Sequence, residues 1–244
     1  MKTISQLKPA ARRHLNNLGD ELFWRLSRRE LHRLLSRFPD GHPESIYRIF
    51  HDYTGKGWYR RIGATQIEEE FRALIAEVQK IGPAVVVEIG TARGGSFLAW
   101  CRNASELAIS IDLPGGIHGG GYAVQRGRLY AEFARGRTTR AVLLREDSHS
   151  DQTVQKVRSI LAGRPIDFLF IDGDHRYAGV SRDYALWKGL VRPGGLIGFH
   201  DVVHHPERTS IDVHRFWAEL KESRSHKEFV ANPADGYGIG VVYA

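Results

Sequence analysis

Five side chains able to act as acids, bases or metal ligands fall in two short clusters: Asp172, Asp174 and His175 in IDGDH, then His200 and Asp201 in GFHDV. Each cluster follows an apolar run, Ile166 to Ile171 and Leu196 to Phe199, that predicts a buried strand. Neighbouring parallel strands lie roughly 5 Å apart, so both clusters can converge on one point at a shared carboxyl edge. Three carboxylates facing one another in a cleft repel unless something cationic stands between them. A divalent ion would serve.

The stretch that would organise such a site is Val85 to Ser96, VVVEIGTARGGS. Its unbroken apolar run predicts a strand buried on both faces, as in the middle of a parallel sheet. Glu88, Gly90, Gly94 and Gly95 end the run, and helix-like sequence from Phe97 to Cys101 follows. Strand, glycine turn and helix in that order set backbone N–H groups and a helix N-terminus at the edge where doubly wound folds bind ligands. Leu107 to Ile111 predicts a second strand, and Asp112 after it stands where a carboxylate accepts from ribose hydroxyls. The glycine spacing departs from G-x-G-x-x-G and suits a pyrophosphate poorly. Glu88 would repel phosphate and attract an amine or a sulfonium, the two cationic groups of S-adenosylmethionine. A tight structural turn is the plainer reading of the glycines alone; Asp112 and the regular alternation of elements weigh against it.

The elements that must hold these residues alternate strand and helix, which predicts a Rossmann-like, doubly wound α/β sheet. Gln66 to Ile81 reads as an amphipathic helix ended by Gly82-Pro83, and a further helix is expected from about Val124 to Ala134. A third strand, Ala141 to Leu144, leads into Asp147 and Ser148, and Asp151 is the expected cap of a helix ending near Leu161. A helix through Tyr184, Leu186 and Trp187 should close at Pro193-Gly194-Gly195. Glu228 to Tyr243 reads as a hairpin, which adds an antiparallel strand to a mostly parallel sheet. DLPGGIHGGGY, from Asp112, is either a flexible lid or a long turn. His204, His205 and His214 predict a solvated loop rather than a second metal site.

The chain has 244 residues, 42% hydrophobic and 26% charged, which allows one large domain with an extension. One cysteine, Cys101, excludes an internal disulfide and suits a reducing compartment. No run approaches the roughly 18 to 20 apolar residues of a membrane span, and Met1 to Ala10 lacks a signal-peptide core, so a cytoplasmic protein is expected. Residues 1–40 carry nine basic against four acidic side chains, most of the net charge of +7. Leu22, Phe23, Leu26, Leu31, Leu34, Leu35 and Phe38 recur there at spacings near three and four. They predict an amphipathic helix packed on its own domain or on a second subunit, with nucleic-acid contact the lesser alternative. The aromatics Tyr47, Phe50, Tyr53, Trp58 and Tyr59 predict ordinary packing or a mobile cover over a pocket.

The sequence resembles class I S-adenosylmethionine-dependent methyltransferases, within them the small-molecule O-methyltransferases related to cephalosporin hydroxylase-like and macrolide or catechol enzymes. VVVEIGTARGGS resembles their first motif, IDLPGG the second-strand acidic motif, IDFLFIDGDHRYAGVSRDYALW the fourth-strand motif and VRPGGLIGFHDV the fifth. The likeness spans about Gln66 to Tyr243, which implies a methyltransferase domain over residues 66–244; residues 1–65 are expected to form a helical extension acting as a lid or in oligomerisation. The resemblance implies that Glu88, Gly90, Thr91, Gly94 and Ser96 hold the methionine end of the donor, with Asp172 nearby. It implies Asp112 for the ribose and Asp147 with Ser148 for the adenine. It also implies a divalent ion, Mg2+ or Mn2+, on Asp172, His200 and Asp201, where it would bind the acceptor hydroxyl and lower its pKa. His200 departs from the acidic residue usual there; imidazole weakens the case for magnesium and admits manganese, iron, zinc or no metal. Asp174, then His175, is the candidate general base.

The acceptor is expected to be a small hydroxylated molecule, a sugar, natural product or aromatic diol, and a homodimer is expected. Two other classes stay open: a nicotinamide- or metal-dependent oxidoreductase on the same sheet, and a non-catalytic module whose basic arm contacts RNA or a partner.

Overall fold

The computed structural model describes residues 9–60, 62–115, 124–134 and 138–244. The extension supplies α1 (Pro9–Arg37) and α2 (Pro43–Asp52), and α3 (Glu68–Lys80) leads into the sheet. Then come β1 (Val85–Ile89), α4 (Gly95–Asn103), β2 (Leu107–Ile111), α5 (Gly127–Phe133), β3 (Arg140–Leu144) and α6 (Asp151–Leu161). The second half holds β4 (Ile166–Ile171), α7 (Tyr177–Trp187), β5 (Val191–His200), α8 (Val213–Lys221), β6 (His226–Phe229) and β7 (Ile239–Tyr243).

Among the described residues the strands form one sheet in the order β3-β2-β1-β4-β5-β7-β6. β1 to β5 are parallel, while β7 runs antiparallel between β5 and β6. Every residue of β1 and β2 is buried because helices cover both faces. Alternation along β1 sends Val86 toward the layer of α2 to α5, and Val85, Val87 and Ile89 toward α6, α7 and α8. The chain leaves β1 toward β2 and β3, then returns to β4 on the other side of β1. That reversal opens a crevice beyond the carboxyl ends of β1 and β4, where ligands bind in this architecture.

Several boundaries differ from expectation. The helix predicted from Gln66 begins at Glu68, with three glutamates in its first turn, where they complement the helix dipole. Gln66 is thereby left in the linker. Ser150, not Asp151, caps α6, its side chain accepting from the Gln152 N–H. Pro193-Gly194-Gly195 does not precede β5 but lies within it, accommodated by a register irregularity between Ile166 and Phe168. The sequence reading assigned no element to α8.

The histidines flanking α8 are not all solvated either. His205 is buried against Tyr237, and the rings of His204 and His214 meet edge to face at 4.8 Å. In α1 the later apolar residues, Leu31 and Leu34, join the core, whereas Leu18, Leu22, Phe23 and Leu26 stay exposed. The expected packing against the domain thus holds for the second half of that helix. Of the aromatics that follow, Phe50, Tyr53 and Tyr59 are core residues and Trp58 is exposed. The stretch DLPGGIHGGGY lies outside the described residues beyond Gly115. No helix among the described residues is long and apolar enough to cross a membrane.

Candidate active site

Glu88 lies on β1, fully buried, with Oε1 accepting from the Trp100 indole N–H at 2.9 Å. Its other oxygen, Oε2, is buried without a hydrogen-bond partner. Burial, reinforced by the nearby charge of Asp172, pushes the Glu88 carboxyl up to about 8, although Ser96, Thr91 and Trp100 pull the other way. Two residues on, Gly90 turns the chain at φ +85° and gives its N–H to Ile111 O at 2.9 Å. A Cβ there would stand 2.0 Å from the Asp172 carbonyl oxygen, so only glycine lets the ends of β1 and β4 come this close. Thr91 is buried and shares a hydrogen bond with Ser110; Gly94, with its N–H on Thr91 O at 2.7 Å, starts α4.

The ends of β2 and β3 supply the far side of the crevice. Asp112 follows Ile111, the register partner of Ile89, and its N–H bonds Leu144 O at 2.9 Å. Asp147 accepts from the His149 N–H at 2.8 Å, and the Ser148 carbonyl takes the Trp187 indole N–H at 3.1 Å. Both residues therefore sit in an ordered turn. His149, which sequence reasoning passed over, lies 3.3 Å from the fully buried carboxylate of Asp183. That carboxylate makes no hydrogen bond, and its proximity holds the His149 imidazole above the ordinary histidine range.

Across the crevice, one donor atom each from Asp172, His175 and Asp201 lies within 4.8 Å of the others. His175 Nδ1 bonds Asp201 Oδ2 at 2.6 Å. Asp201 is buried and adopts φ +61°, a left-handed conformation that aspartate tolerates better than most residues. His200 takes a place of its own: its Nδ1 lies 3.2 Å from Asp172 and 3.3 Å from Asp201, and neither ring nitrogen makes a hydrogen bond. Burial alone would lower its pKa, but the two carboxylates outweigh burial and raise it to about 9. The structure thus puts the His200 ring between the carboxylates and brings His175 in as the third converging ligand atom. Asp174 is outside this group. Arg176 holds it with hydrogen bonds of 2.9 and 2.5 Å and keeps its carboxyl below the usual range.

Gln66 carried no sequence signal, since it lies 106 positions before the group it touches. Its Nε2 donates to Asp172 Oδ2 at 2.5 Å.

A family model described as a methyltransferase domain matches residues 87–202, a span holding every candidate residue named from the sequence. Its match takes in the glycine turn, the acidic strand ends and the parallel strands through β5, and stops before β7 inserts beside β5. The chain has the Rossmann-like fold of class I methyltransferases.

Solved structures agree in architecture. The O-methyltransferase TomG from Streptomyces achromogenes, involved in tomaymycin synthesis and solved with S-adenosylmethionine, superposes with a TM-score of 0.54 at 16% identity. That match covers 86% of this chain and 89% of TomG. Cofactor-bound Rv0187 from MTB gives a TM-score of 0.53 at 16% identity, with the same coverage of 86% and 89%. At such identities the likeness is one of fold. Among curated proteins, y4gI of Sinorhizobium fredii is 26% identical over 179 residues, 68% of this chain. The chain spans 18% of the length of that relative.

The raised pKa values of buried Glu88 and His200 make the stability of this protein fall as pH rises. For Glu88 the folded pKa of about 8 lies above the ordinary 4.5, so its contribution is full below 4.5 and lost by about 8. For His200 the contribution is full below 6.5 and is lost as pH rises through about 9. Both slopes have the same sign between 6.5 and 8. Urea unfolding across pH 6 to 10 (about) should show this decline, and Glu88→Gln should flatten its lower limb. A parent whose stability rises over that window contradicts these assignments.

Proposed function

We propose that this protein transfers a methyl group from S-adenosylmethionine to a hydroxyl oxygen of a small molecule, with His175 receiving the proton. The observation that carries the reading is the His175–Asp201 pair facing Asp172 at the switch point of the sheet. A carboxylate on Nδ1 fixes the tautomer that leaves Nε2 as a basic lone pair. Asp174, spent on its guanidinium partner, is the weaker candidate.

The chain's acceptor-rich crevice supports S-adenosylmethionine as the donor, because buried oxygens without donors call for a cationic ligand. In this reading Glu88, Gly90, Thr91, Gly94, Ser96 and Asp172 surround the aminoacyl end, Asp112 takes the ribose, and Asp147 and Ser148 border the adenine. When bound, the donor supplies an electrophilic sulfonium methyl. The protein orients the acceptor oxygen, keeps water out and takes the proton; orientation accounts for much of the acceleration of such a displacement.

A divalent cation also fits. Asp172, His175 and Asp201 offer two carboxylates and an imidazole, and Asp201 Oδ1 is buried without a hydrogen bond. That mixed set suits Mn2+ better than Mg2+, and a cation there would lower the pKa of an acceptor hydroxyl.

The test is calorimetric binding of S-adenosylmethionine and S-adenosylhomocysteine with and without each metal, on the parent and on Asp172→Asn. Micromolar binding by the parent is expected, along with metal-dependent heat that Asp172→Asn abolishes. Folded parent protein that binds neither nucleoside sinks the reading; binding without any metal effect leaves His175 acting alone.

A further inference from the structure

The family match begins at residue 87, yet the segment before α3 reaches into the same crevice. The linker is fixed there by several contacts. Gly95 N–H bonds Gly63 O at 3.0 Å, and a Cβ on Gly95 would lie 2.3 Å from the Gly63 carbonyl carbon. Arg126 spends its guanidinium on three main-chain carbonyls, those of Trp58, Arg60 and Arg93, which joins the linker to the glycine turn. Glu30 of α1 receives the N–H groups of Thr54 and Gly55.

Gln66 emerges from this anchored strap 6% exposed. A carboxylate only accepts hydrogen bonds, so the contact with Asp172 Oδ2 fixes which end of the amide is the N–H. The opposite end, Oε1, is buried and has no hydrogen-bond partner. Glu88 Oε2, the second unpartnered acceptor, belongs to the strand end beside Asp172. His200 faces the other oxygen of Asp172, Oδ1, at 3.2 Å, so a donor is already present on that side. Around Glu88, Gln66 and Oδ2 the acceptors outnumber the donors. An ammonium carries three N–H groups and no acceptor, which matches such a cage, whereas a hydroxyl brings a single donor. A neutral amide also adds an acceptor without adding negative charge.

We propose that Gln66 is a donor-binding residue whose carboxamide oxygen, with Glu88 and Asp172, receives the ammonium of the aminoacyl end. This assignment rests on S-adenosylmethionine being the methyl donor. It makes a residue outside the matched domain part of the cofactor site and ties the extension to donor recognition.

Two ligands separate the possibilities. S-adenosylhomocysteine carries the aminoacyl end, and methylthioadenosine lacks it. Their dissociation constants are measured on the parent, on Gln66→Met, which removes the acceptor at similar length, and on Gln66→Asn, which retracts it. Both variants should bind S-adenosylhomocysteine about tenfold or more weakly, with methylthioadenosine changed by no more than about twofold. Because the two variants differ in volume and polarity, a packing defect in one does not imitate the pattern in both. Equal loss for both ligands, or no loss for S-adenosylhomocysteine, overturns the role of Gln66 while the donor reading stands. A parent that binds neither ligand overturns the donor reading, and Gln66 with it.

Discussion

Replacing His175 with alanine should cut methyl transfer by about 10²- to 10⁴-fold, the range spanned by a well-placed general base. Donor affinity should stay within about twofold, because His175 hydrogen-bonds Asp201, which is not among the donor-binding residues, and not the glycine turn. Asp201 raises the His175 pKa above the ordinary 6.5 despite burial, and the basic form exists only above that pKa. Parent kcat/KM should therefore climb with pH through a value above 6.5, and a His175→Gln variant should lack that limb. Steady-state kinetics over the pH range, with single-turnover rates to isolate chemistry, checks both statements. A His175→Ala enzyme with parental turnover would move the proton acceptor elsewhere, with Asp174 next in order.

The second large effect is expected from Gly90→Ala. The added methyl meets the Asp172 carbonyl oxygen at 2.0 Å, and the φ of +85° strains any L side chain. Left-handed strain of about 1 to 2 kcal/mol plus overpacking of about 1 to 3 kcal/mol gives a loss of about 2 to 5 kcal/mol. Since the shift must separate β1 from β4, donor affinity should also fall about tenfold or more. Gly163→Ala is the control: its φ is +84° and nothing lies within 4 Å of the added carbon. It should cost only the conformational part, about 1 to 2 kcal/mol, and leave binding alone. Urea denaturation and calorimetry on the two variants measure the difference. Equal losses would show that the approach of the two strands does not depend on this glycine.

The contrast between Gly90 and Gly163 also shows why a motif can be read from sequence while its purpose cannot. Both are positive-φ glycines just past the end of a regular element. Only the neighbour across β4 distinguishes them, and Asp172 is 82 residues further along the chain. His200 and His175 make the same point. From spacing, His200 stood beside Asp201 as a ligand and His175 stood second to Asp174 as a base. In the folded chain His200 is sealed between two carboxylates, whereas His175 is partly exposed and bonded to one of them. The left-handed turn at Asp201 and the pull of Arg176 on Asp174 set those outcomes, and neither is encoded by periodicity.

Local sequence determined the order of strands and helices, the two-sided burial of β1 and β2, and the acidic residues at the strand ends. Those properties follow from hydrophobic period and run length, which depend only on near neighbours. Packing between distant segments decided which carboxylate receives which cation, where α1 leaves its apolar stripe uncovered, and that Gln66 enters the site. Such pairings join residues as far apart as Gln66 and Asp172, and their energy comes from burial and charge at contacts that exist only once the sheet has closed.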